Sequence, residues 1–133
     1  MENQTNYQYL KKEWEAVATT YNHKPELIKS LFETIYIHYS ESHRAYHNPQ
    51  HLVELLELIA GHTDSVNKNI HVLAAFFHDI IYVPGRQDNE WESAQLATRM
   101  MQELGVSSVE IEAVCQIIMA TQAHEWFDDS IPN

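Results

Sequence analysis

The feature that most constrains this chain is a run of apolar residues at helical spacing. Leu27, Ile28, Leu31, Phe32, Ile35, Tyr36 and Tyr39 recur every three or four positions, the period of one buried helix face. The same rhythm occurs before and after it. Leu10, Trp14, Val17 and Tyr21 form one stripe, and Leu52, Leu55, Leu56 and Ile59 another. Only 3 Gly and 4 Pro occur in the chain, too few for the many turns of an all-β fold. The 133 residues suit one domain with one core. The expectation is an all-α bundle of five or six helices, a single domain over 1–133.

Helix ends are also legible. Pro25 fits a first turn, and Asn48 followed by Pro49 reads as a cap and first turn. Gly61 reads as a stop. The fourth helix is expected from about Asn69 to Tyr82, ended by Pro84 and Gly85. The fifth is expected over Asn89 to Leu104, with Trp91, Ala94, Ala97, Met101 and Leu104 inward and Gly105 closing it. The sixth is expected over Ser108 to Ala123, with Ile111, Val114, Ile118 and Thr121 on one face.

The formal charge is −11, from 8 basic against 19 acidic residues. Nucleic-acid polymers and anionic membranes call for a basic footprint that this chain lacks. An anionic substrate would need a metal ion to invert the local field. Cys115 is the only cysteine, so no internal disulfide forms. The opening "MENQTNYQYLKKEW" has no apolar signal-peptide core. No apolar run is long enough to span a bilayer. A cytoplasmic protein is expected.

The stretch "LAAFFHDIIYVPG", residues 73–85, interrupts an apolar run with His78 and Asp79. Burying an imidazole and a carboxylate there is costly without partners. Asp is also disfavoured near a helix C-terminus, where the dipole is negative. One resolution is a core histidine bonded to a carbonyl. The other is a metal ion. Ala74 and Ala75, one turn earlier, leave room for a facing helix. His51, on the first turn of the third helix, is the natural partner. An N, N, O set with no thiolate suits Zn²⁺, Mn²⁺, Fe or Ni²⁺, and three protein ligands describe a catalytic site more than a structural one. Nine histidines occur in all, with His38, His43, His47 and His51 close together; a histidine-rich surface is the bland alternative.

Four ordered segments carry a resemblance: "RAYHNPQHL" (44–52), "AAFFHDIIY" (74–82), "DNEWESA" (88–94) and "IIMATQAH" (117–124). They resemble the HD-domain superfamily of metal-dependent phosphohydrolases, most closely a bacterial branch with longer chains. The resemblance covers about 40–124. It implies an HD-domain-like helical bundle and a divalent metal ion (Mn, Zn, Fe, Ni or Mg). It also implies hydrolysis of a small phosphate ester, such as a nucleotide. His51, His78 and Asp79 then look like the ligands, with Asp79 essential to catalysis. His47 and His124 become candidates for a second metal or for substrate. Arg44 and Arg86 become candidates for phosphate, because guanidinium offers paired donors; a surface ion pair is the alternative for each. Glu90 is a candidate acid or base, or a first-turn residue favoured by the dipole.

The family's last Asp ligand lies beyond the "ATQAH" segment, and this chain ends at Asn133. Asp128 and Asp129 fall too early, so neither takes that role. The expectation is the N-terminal portion of a longer domain, a C-terminally shortened form, or a protomer completed by another chain. An incomplete bundle exposes apolar faces and favours a homo-oligomer. Two other functions fit the same residues. One is an HD-like di-iron oxidase using His47 and His124. The other is a non-catalytic helical module that binds a metal or ligand.

Overall fold

A computed structural model describes residues 2–41, 48–62 and 67–121. Six helices appear in chain order: α1 (Glu2–Ala18), α2 (Pro25–Tyr39), α3 (Pro49–His62), α4 (Lys68–Phe77), α5 (Asn89–Leu104) and α6 (Ser108–Ala120). There is no strand among the described residues. The all-α bundle is as the periodicity requires. No helix among the described residues is long and apolar enough to cross a membrane.

α4 is the central element. Every residue from His71 to Ile80 is buried, as expected of a helix that is apolar on all sides. It packs against α6 and α3, and more lightly against α1 and α5. Ala74 and Ala75 are wholly buried, so neighbouring helices come close to its backbone. Trp14 of α1 sets its ring edge-on to Phe76 and Phe77, with centroids 5.3 and 5.9 Å away. The indole N–H, which needs an acceptor once buried, donates to the Ile28 carbonyl at 3.0 Å.

α5 and α6 form a hairpin. Gly105 ends α5 at φ 96°, a conformation that favours glycine. Its amide and that of Val106 bond back to the Met101 carbonyl, both at 3.0 Å. Ser107 then caps α6: its hydroxyl accepts the Glu110 amide and donates to the Glu110 carboxylate at 2.9 Å. Ser107 is thus a side-chain N-cap whose hydroxyl is tied in turn to the Glu110 carboxylate. The α1–α2 turn docks here. The Tyr21 hydroxyl donates to Glu110 at 2.9 Å, and the Asn22 amide donates to the Leu104 carbonyl at 3.0 Å. Burial, and then the bond to Glu110, hold the Tyr21 phenol well above its ordinary pKa.

Three expectations need correcting. α4 ends at Phe77 rather than Tyr82, because the Asp79 and Ile81 amides find partners outside the helix. Gly61 lies inside α3, which runs on to His62. Trp91 is 52% exposed rather than inward. Asn89 and Ser93 are the buried residues of that turn, and position 91 falls between them on the opposite side.

Candidate metal centre

Four helix ends meet at the other end of the bundle: the last residue of α2, the first turns of α3 and α5, and the end of α4. α3 starts as its sequence dictates. The Asn48 side-chain oxygen accepts the His51 amide at 3.0 Å, three residues on. This cap holds His51 on the first turn, half-buried.

The end of α4 is less regular. The His78 amide still bonds to the Ala74 carbonyl at 2.8 Å, as in a helix. A continuing helix would send the Asp79 amide to the Ala75 carbonyl. Instead it donates to the Tyr39 hydroxyl at 3.2 Å, and that hydroxyl donates to the Ala75 carbonyl at 3.3 Å. Further on, the Ile81 amide goes to the Ser93 hydroxyl at 3.0 Å, which returns a bond to the Ile81 carbonyl at 3.1 Å. The Asn89 side-chain amide pairs with both backbone groups of Val83, at 3.0 and 3.1 Å. The chain leaves α4 because α2 and α5 supply these partners.

His78 and Asp79 are 6% and 8% exposed. The His78 Nδ1 lies 2.7 Å from the Ala75 carbonyl. A carbonyl can only accept, so Nδ1 carries the proton. In the neutral ring, Nε2 then presents a lone pair, the form that binds metals. That Nε2 stands 3.1 Å from the Asp79 Oδ2. That distance calls for a proton between the two atoms, on the ring or on the carboxyl, or for a cation shared by both. Two ligand atoms on one tetrahedral or octahedral ion are about 3.0–3.4 Å apart for bonds near 2.1 Å. The His51 ring lies across from His78, with centroids 6.2 Å apart. One donor atom from each of His51, His78 and Asp79 lies within 4.8 Å of the others. The donor types suit a divalent ion of borderline softness.

The remaining expected residues divide. His47, His124, Arg44, Asp128 and Asp129 lie outside the described residues. Arg86 forks onto Asp88 at 2.8 and 2.6 Å, with Glu92 at 3.6 Å. That is the ion pair named as its alternative role. Hydrogen bonding to Arg86 lowers the Asp88 pKa. Glu90 stands half-buried in the first turn of α5, where the dipole favours its charge.

Tyr39, Asn89 and Ser93 were not visible as site residues. Tyr39 reads as the last apolar position of a stripe. Its signal was the hydroxyl, which must find a partner when the ring is buried. His71 was also missed. Wholly buried on α4, it turns Nδ1 to the Asn67 carbonyl at 3.0 Å. Its Nε2 has no hydrogen-bond partner among the described residues. Compared with known protein families, with curated proteins and with solved structures, the chain matches none.

Proposed function

We propose that this chain is a metal-dependent phosphohydrolase acting on a small phosphate ester, of which a nucleotide is one candidate. The observation that carries the reading is the convergence of His51, His78 and Asp79, with the His78 tautomer set for ligation. The four segments that resemble the HD-domain superfamily support it. His51, His78 and Asp79 would hold the ion. A divalent ion there would supply Lewis-acid polarisation of a phosphoryl oxygen and a nucleophile at neutral pH. The backbone carbonyl of Ala75 keeps the His78 proton on Nδ1, away from the ligand face. Burial of Asp79 keeps water from competing for its carboxylate. A local cation also answers the charge problem, since an anionic ester would otherwise meet a field of net charge −11.

The test is bound-metal analysis of the purified chain, then hydrolysis of a phosphomonoester and nucleotide panel with added Mn²⁺. About one ion per chain and metal-dependent phosphate release are expected. Asp79→Ala should lose both while keeping its helical circular dichroism. Equal turnover in that variant would end the proposal.

A second reading is a binding module without chemistry. What favours it is Arg86, whose guanidinium is engaged by Asp88 rather than held open for a phosphate. It predicts stabilisation by metal or ligand with no phosphate release.

A further inference from the structure

We propose that Tyr39 is the positioning residue of this centre: its hydroxyl breaks α4 at Asp79 and so aims the carboxylate at the ligand face of His78. The inference rests on the metal reading of that face. Tyr39 is the last residue of α2, 1% exposed, with its ring fully packed. Its oxygen sits inside the hydrogen-bond ladder of another helix. It takes the Asp79 amide at 3.2 Å and gives its own proton to the Ala75 carbonyl at 3.3 Å.

The need for such a relay follows from the demands on one carbonyl. Ala75 already accepts the His78 Nδ1–H at 2.7 Å. A carbonyl oxygen has two lone pairs. If α4 continued, the Asp79 amide would claim the second pair directly. Asp79 would then take a helical backbone, and its side chain would diverge from His78 by about 100° around the axis. The inserted phenol satisfies the Asp79 amide without that geometry. The two side chains instead meet at 3.1 Å. The sequence itself favours continuation, because Ile80, Ile81 and Tyr82 extend the apolar run. Without the hydroxyl, the helix is the natural alternative for this turn.

The test compares wild type, Tyr39→Phe and Tyr36→Phe. The first variant removes only the hydroxyl and keeps the ring. The second removes a hydroxyl one turn earlier on α2. Co²⁺ is the probe, since its visible absorption reports ligand number and geometry. The expected result is a loss of Co²⁺ affinity of about 10- to 100-fold in Tyr39→Phe, the usual cost of an outer-shell change. Its absorption bands should shift as well, with wild-type behaviour in Tyr36→Phe. In metal-free wild type, NMR should also show a slowly exchanging Tyr39 hydroxyl proton close to the Asp79 amide. This readout needs no variant to fold. Wild-type affinity and spectrum in Tyr39→Phe would overturn the role of Tyr39 alone. Absence of the hydroxyl–amide contact would overturn it too. Failure of wild type to bind Co²⁺ would instead remove the metal reading, and this inference with it.

Discussion

The two ends of the bundle use polar groups in opposite ways. Where α1 and α5 end, Tyr21, Asn22, Ser107 and Glu110 close on one another or on a backbone carbonyl. Each bond there stabilises a turn. Where α4 ends, Tyr39, Asn89 and Ser93 also satisfy backbone groups. Beside them, a ring nitrogen and a carboxylate stand 3.1 Å apart in a buried place. The comparison separates polar groups that hold the fold from polar groups held by it. Only the second kind is costly enough to call for a function.

The largest effect should come from the costly end. With Mn²⁺ or Zn²⁺ at a hundred times its dissociation constant, wild type should gain about 2.7 kcal/mol against denaturant. Asp79→Ala and His78→Ala should gain nothing. Equal stabilisation of wild type and variants would place the ion elsewhere. Next comes the closed end. Gly105→Ala forces a side chain into φ 96° and should cost about 1–2 kcal/mol in urea denaturation, with no change in metal uptake. A loss of metal binding there would blur the two ends.

Asn48→Ala tests the border between them. It should lose about 1 kcal/mol as a cap and also weaken metal affinity, because the same oxygen places His51.

Tyr21→Phe removes one hydrogen bond, worth about 1 kcal/mol, and changes the alkaline limb. Burial first, then Glu110, raises the Tyr21 pKa above its ordinary 10.0. The folded chain therefore keeps a proton that the unfolded chain releases. Stability is full below about pH 10 and falls as pH rises beyond it. The variant should flatten this slope in pH-dependent melts. Tyr9, raised chiefly by burial, keeps part of it. The smallest effect belongs to Arg86→Ala. Its ion pair is open to solvent, and such pairs contribute little, so the melting curve should match that of wild type.

Much of this was legible beforehand for simple reasons. Stripes such as Leu52, Leu56 and Ile59 are local patterns, and a helix face follows from spacing alone. The proximity of His51 to His78 and Asp79 was legible because costly residues in an apolar run demand an explanation. The end of α4 was not. Locally Ile80, Ile81 and Tyr82 continue the pattern, and what stops the helix is a hydroxyl 40 positions away. Trp91 misled for a related reason: size suggested burial, while the small polar Asn89 and Ser93 took the inner face. Long-range partners of backbone groups leave no periodic trace.

The clamp between residues 81–83 and the first turn of α5 has a kinetic consequence. Because Ser93 and Asn89 each hold both an amide and a carbonyl of that segment, opening the segment breaks four hydrogen bonds to the first turn of α5. The end of α4 and the start of α5 should therefore exchange their amide protons as one unit. Neither Ser93 nor Asn89 belongs to the donor set, yet loosening either shortens the closed lifetime of the turn that carries Asp79. Such a change would be felt as faster ion release at nearly unchanged helix content.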